Sequence, residues 1–178
     1  MATLNDFLNS TGRLRENLRS EANTEVEQII SNWLAERIEI AQNELEQNDR
    51  VGTGALKQSV RAEIETDDAT IVKVLAEDYW DFINSGVNGV ANNFGAKYSF
   101  KNLGVGSNMK QAFREFIQVR GITPREPEMS YDSLAYVLAR SVKKKGIRKT
   151  PFMDEGFSDE AIKELADRLG KGVTKIFE

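Results

Sequence analysis

The sequence contains no cysteine and no histidine. The first absence excludes disulfides and thiolate chemistry, and the two together exclude ordinary zinc sites, Cys–His pairs and the Ser–His–Asp triad. Lack of histidine also removes the commonest general base. Carboxylates, Lys, Tyr, Ser and Thr remain as catalytic groups, so an enzyme is disfavoured and no cofactor or metal is expected. Only three prolines occur in 178 residues, none before Pro124. No apolar run approaches the ~20 residues of a membrane span. The opening MATLNDFLNS has neither the basic nor the apolar region of a secretory signal. No membrane association is expected, and synthesis in a cytoplasm is the default.

What is present is ordinary for a globular chain: 40% hydrophobic and 29% charged residues, with 24 − 28 = −4 net charge. The net charge argues against a general nucleic-acid binder. Its distribution is uneven. Glu21 to Asp49 holds eight acidic residues against one basic, Arg37, whereas Ser107 to Lys149 holds ten basic against four acidic. Two solvated helix faces would account for this. So would surfaces of opposite potential through which copies of the chain, or its neighbours, meet.

Hydrophobic spacing outlines the elements. Leu14, Leu18, Ala22, Val26, Ile29, Ile30, Trp33, Leu34, Ile38, Ala41 and Leu45 recur at helical steps and predict one long amphipathic helix over about 12–48. Thr24 followed by Glu27 leaves open a break near Asn23. After a glycine-marked turn, Val60, Ala62 and Ile64 alternate with polar residues, and Thr70–Ala76 is nearly continuously apolar. These predict a half-buried strand and a more deeply buried one, paired as a hairpin about Asp67-Asp68. Tyr79–Asn84 reads as a short helix or a strand continuation. Gly86–Gly106 carries five of the thirteen glycines and reads as a long loop with a short strand at Tyr98–Phe100. Helices follow from Ser107, closed by Gly121, and from Ser130, closed by Lys143-Lys144-Lys145-Gly146. A last helix is expected over about 158–169, with Ile162, Leu165 and Leu169 facing inward. The fold class is α+β, a small antiparallel β-sheet packed with helices plus the long N-terminal helix. The segments are 1–50, helical, and 51–178, an α+β core domain with a glycine-rich loop at 86–106.

Four patterns carry chemistry worth weighing. Gly104–Lys110 superficially resembles a phosphate loop, but the full glycine-lysine pattern and a preceding apolar strand are missing, which leaves a linker with a helix cap. Asp67-Asp68 and Glu77-Asp78 are acidic pairs, but adjacent strand residues point to opposite faces, so turn chemistry is the simpler account. Tyr79, Trp80, Phe82, Tyr98 and Phe100 read as a core cluster beneath the loop rather than a stacking platform. Arg140–Lys149 places six cations in ten positions, suited to phosphate contact without sequence readout. A helix-turn-helix is disfavoured there because the segment between the two helices is long and proline-rich.

Three local motifs add a resemblance. Thr53-Gly54-Ala55-Leu56-Lys57-Gln58-Ser59-Val60 resembles the opening of the first strand in neck and tail-completion proteins of tailed bacteriophages, the minor-tail-protein-Z-like group. Tyr79 to Val87 (YWDFINSGV) resembles that group's aromatic segment ending in glycine, and Ser133 to Phe152 its late small-apolar helix followed by G-I-x-x-x-P-F. The likeness covers about residues 50–170 in patches; the acidic helix and the stretch 88–129 depart from it. It implies a non-enzymatic virion protein, assembled in the host cytoplasm, forming a sixfold ring that joins connector or stopper to the tail tube. Expected interface residues are Trp33, Ile38 and Leu45 on the long helix, Asn88 and Phe94 in the loop, and Arg140, Lys143, Lys144, Lys145, Arg148 and Lys149 in the cluster. That cluster would face DNA in the channel or an acidic partner. The alternative is a DNA-binding or DNA-packaging accessory protein using residues 140–149, and a carboxylate-based hydrolase stands third.

Overall fold

The apolar stripe of the N-terminal segment forms one helix. A computed structural model describes residues 4–49, 52–66 and 70–176, with side-chain surroundings for residues 23–49, 52–66 and 70–172. Helix α1 (Leu4–Gln47) passes through Asn23 without a break. From Ile30 to Leu45 the stripe is the buried side: Ile30, Trp33, Leu34, Ala41 and Leu45 are buried. Its N-terminal members Leu14, Leu18 and Ala22 lie outside the residues with described side chains. The helix stops where Asp49 takes a left-handed conformation, φ 51°, which short polar side chains tolerate.

The TGALKQS segment, expected to lead directly into a strand, instead makes a helical turn, α2 (Ala55–Ser59), that buries Leu56. A left-handed Gly54, φ 85°, precedes it, and the Ser59 hydroxyl closes it on the Leu56 carbonyl at 2.8 Å. The hairpin follows as expected: β1 (Arg61–Thr66) and β2 (Thr70–Leu75) pair antiparallel from Arg61↔Leu75 to Thr66↔Thr70. The expected turn at Asp67-Asp68 lies outside the described residues. Deeper burial of β2 is not found; Ile71 is 51% exposed. By the alternation of the pleat, Ile71 and Lys73 face away from the Ala62, Ile64, Val72 and Val74 side, and Lys73 pairs there with Glu65 at 2.5 Å.

Beyond the hairpin come α3 (Trp80–Asn84), β3 (Val87–Asn88), β4 (Tyr98–Ser99), α4 (Ser107–Val119), α5 (Tyr131–Lys145), β5 (Gly146–Ile147), α6 (Phe152–Gly156) and α7 (Asp159–Ile176). The aromatic segment is thus helical. A second small sheet has the order β4-β3-β5, with β3 parallel to β4 and antiparallel to β5. The Ser130 hydroxyl caps α5 by accepting from the Ser133 amide at 3.1 Å. α4 packs against α5, where Ile117, Ala135 and Ala139 are buried. The helical spacing of Leu134, Val137, Leu138, Ser141 and Val142 predicts Val137 on the inner face of α5, yet it is half exposed. The alanines occupy the inner face because they let the two helices approach.

The chain groups into two compact units, residues 38–156 and residues 1–37 with 157–178. α1 therefore contributes to both, whereas the sequence reading drew its boundary near residue 50. In the larger unit Ala41, Leu45, Leu56, Val60 and Phe152 form the core, flanked by Ile38, Trp80 and Ile83. In the other, Trp33 packs edge-on against Phe157 and its indole N–H donates to the Ala161 carbonyl at 3.1 Å. Arg168 grips Glu36 with both guanidinium nitrogens and also reaches Glu164. On α7 Ala161 is buried, while Ile162, expected to face inward, is 54% exposed. Among the described residues no helix is long and apolar enough to cross a membrane.

Candidate functional site

Every α-helix leaves its last four carbonyls without partners of its own continuing turn. At the C-terminus of α5 all four are satisfied. The Gly146 amide donates to Val142 O. The loop after β3 supplies the rest: Val90 N to Lys143 O at 3.0 Å, Ala91 N to Lys144 O at 3.0 Å, and Asn92 Nδ2 to Lys145 O at 3.2 Å. This docking needs two backbones to meet without side chains between them. Gly146, at φ 85°, would place a Cβ 2.5 Å from both Gly89 N and Val87 O, and a Cβ on Gly89 would collide with the backbone of Lys144–Gly146. The start of the glycine-rich loop is therefore held as the cap of α5.

Asn88 holds the rest of the loop. Its side chain is buried and fully bonded: Oδ1 accepts from Phe94 N (2.7 Å) and Ala96 N (3.1 Å), and Nδ2 donates to Ala96 O (2.9 Å) and Ser99 Oγ (3.0 Å). Its carbonyl accepts from Phe100 N. A second anchor ties the loop to α3. Asp81 accepts from Lys97 Nζ at 2.7 Å, Ser85 Oγ at 2.5 Å and Tyr98 OH at 2.5 Å. The Lys97 ammonium first, then the two hydroxyls, pull its carboxyl down to about 2 and in turn raise the Lys97 ammonium above its usual range. Phe82 and Tyr98 meet edge to face at 4.7 Å. Tyr79 and Phe82 are more than two-fifths exposed, whereas Trp80 packs against the core, so only part of the aromatic set is the buried cluster expected. Phe82 braces the loop through Tyr98.

The result is a surface of one sign. No Asp or Glu occurs from residue 82 to 114 or from 133 to 153, and the second sheet and the α5 cap fold these two stretches onto each other. Of the four carboxylates bordering them, two are held by cations: Asp81 by Lys97, and Asp132 by Lys110 at 2.8 Å and Arg114 at 2.9 Å; Glu115 accepts from the Gln111 amide and Asp154 from that of Asn84. Those cations hold Asp132 below its ordinary pKa, Lys110 through a hydrogen bond being the larger influence. Within the surface the cations lie against rings. Lys143 donates to Gly104 O and sits 5.7 Å from the Phe100 centroid, and Arg148 sits 5.7 Å from that of Phe94. Arg140, Lys144, Lys145 and Lys149 are exposed.

Against known proteins the chain finds no counterpart: no family model, no curated protein and no solved structure matches it.

The expected interface residues separate into two groups. Trp33 and Leu45 are buried inside the chain and Ile38, partly buried, packs on its core, so all three help to build the units. Asn88 is likewise internal. Phe94, Arg140, Lys143, Lys144, Lys145, Arg148 and Lys149 are brought onto one surface with the loop. The sequence reading missed Val90, which is exposed beside the α5 cap, and Lys101, next to Phe100. The acid-free runs were the legible signal for Lys101; no sequence signal marked Val90.

At the end of the Gly104–Lys110 pattern, Lys110 pairs with Asp132 at 2.8 Å. Glu77 and Asp78 are exposed, and Asp67-Asp68 lies outside the described residues. A shallow pocket is lined by Arg114, Ile117, Gln118, Ile122 and Tyr131, none of them in the glycine-rich loop or in the Arg140–Lys149 cluster. Among the described residues no group of three or more acidic side chains is placed to hold a metal.

Proposed function

We propose that the chain is a non-catalytic structural subunit of a tailed-phage particle that works by closing into a ring at the head–tail junction. One observation carries the reading. The three segments that resemble neck and tail-completion proteins, distant in sequence, supply one core: Leu56 and Val60 from the first, Trp80 and Ile83 from the second, Phe152 from the third. Residues that define a family's fold are expected to meet in this way. Scattered coincidences would have no reason to.

A ring subunit needs surface left for its neighbours, and heterologous contacts use two different patches. Hairpin β1–β2 offers one. Its Ala62, Ile64, Val72 and Val74 side is only half-buried, and among the described residues neither strand has a partner on its outer edge. Two strands alone are marginal in water, and a free edge invites pairing. A neighbouring subunit would cover both liabilities. The resemblance sets the expected ring as sixfold, between a connector or stopper and the tail tube.

Native mass spectrometry of the full chain with electron microscopy of virions tests the reading. The expected result is a closed oligomer, hexameric by the resemblance, and the protein present in mature particles. A lone monomer absent from particles would overturn it and leave the DNA-packaging accessory.

A further inference from the structure

We infer that the surface built from the glycine-rich loop and the end of α5 is a binding site for the phosphate backbone of nucleic acid, used without sequence readout. The inference rests on the charge surface itself and holds for a ring subunit and for an accessory protein alike.

Two simpler uses leave the cations unaccounted for. The lysines at the end of α5 complement its dipole, but the hydrogen bonds to the last carbonyls that such lysines commonly make are closed to them. Here the carbonyls of Lys143, Lys144 and Lys145 already accept from Val90, Ala91 and Asn92. The Lys143 ammonium turns outward from its helix to Gly104 O, and Lys144 and Lys145 stay exposed. The second use would be internal ion pairing. Lys97, Lys110 and Arg114 do pair with carboxylates. Among the described residues Arg140, Lys143, Lys144, Lys145 and Lys149 have no carboxylate within 4.0 Å. The reason is the fold, which joins two stretches that contain no acid. Like charges crowded together in this way repel, and the arrangement becomes favourable when an external anion joins them.

The kind of anion follows from the side chains. Four of the six cations between Arg140 and Lys149 are lysines. Lysine is depleted at protein–protein interfaces, where the desolvation of a strongly hydrated ammonium is costly. It suits phosphates, which it meets as a point charge while staying wet. Arg148 adds a planar donor kept at the surface by stacking on the exposed ring of Phe94. The lysines meet phosphate oxygens as point charges, a contact that positions a duplex without specifying its sequence.

The test uses the full chain and two fluorescein-labelled DNA duplexes of unrelated sequence, titrated by anisotropy at about 50 and about 200 mM salt. Both duplexes are expected to bind alike, with affinity falling roughly a hundredfold between the two salts, as for about four neutralised phosphates. Lys144→Glu with Lys145→Glu is expected to weaken binding by at least about tenfold and to flatten the salt slope by about two. Lys163→Glu, on α7, is expected to leave it unchanged. Because both lysines are exposed the variant should fold; circular dichroism checks this, and Lys144→Gln with Lys145→Gln gives the same ordering with a smaller loss. No binding at the lower salt, or wild-type affinity in both double variants, overturns the inference. So does tighter binding of a labelled oligoglutamate than of duplex, which would assign the surface to an acidic protein. Ring formation by native mass spectrometry is read separately, so failure of one reading leaves the other standing.

Discussion

Asp81 is a single carboxylate that holds a loop. Its three donors lie just after α3, on β4 and next to β4, and together they lower its pKa from 3.8 to about 2, the Lys97 ammonium being the main cause. The folded-state value lies below the ordinary one, so the anchor is at full strength above pH 4 and is lost as pH falls through the interval from about 4 to about 2. An NMR titration should place the Asp81 carboxyl midpoint near 2, and Tyr98 ring signals should shift over that same interval. In Asp81→Asn the Tyr98 shift should vanish. A midpoint near the ordinary value would mean that the three hydrogen bonds do not form. Neither Asp81 nor Asn88 was legible in its structural role. A side chain that bonds amides six and eight residues ahead leaves no periodic trace, and Asn88 in a glycine-rich stretch reads as one more loop polar residue.

At the scale of elements, the long regular ones were legible. α1, α4, α5 and the β1–β2 pair follow from spacing, and the Ser130 cap and the Gly146 stop follow from local chemistry. The two-residue strands β3, β4 and β5 were not, apart from the hint at Tyr98, because two residues are too few to show a period. The five-residue helices α2 and α6 escaped for the same reason. Burial was misjudged where small residues lie inside: Ala135 and Ala139 displace Val137, and Ala161 displaces Ile162. A pattern that weighs large side chains does not see alanine. The joint between β3 and β5 can be tested directly. Gly146→Ala forces a side chain into a left-handed backbone and against Gly89 N and Val87 O at 2.5 Å. It should cost about 2–4 kcal/mol, read as a lowered urea midpoint. Hydrogen exchange at Val90 and Ala91 should quicken as the α5 cap loosens. Wild-type protection at those amides would contradict the docking described.

For the molecule as a whole, Phe152 connects the pieces. It is fully buried in the core with Leu45 of α1 and Leu56 of α2, about a hundred residues away in sequence. Phe152→Ala should destabilise the unit of residues 38–156 by about 3–5 kcal/mol, measured by chemical denaturation. A loss under about 1 kcal/mol would show that the three segments do not share that core. The sequence by itself determined the fold class, the positions of the long elements, and the chemistry excluded by the lack of cysteine and histidine. Those are local properties, set by spacing and composition. Only the tertiary structure decided that Trp33, Ile38, Leu45 and Asn88 serve the interior, and that the loop after β3 closes α5. It also decided that two acid-free stretches become one surface, because contacts between residues far apart in the chain depend on how elements pack, which no local pattern records.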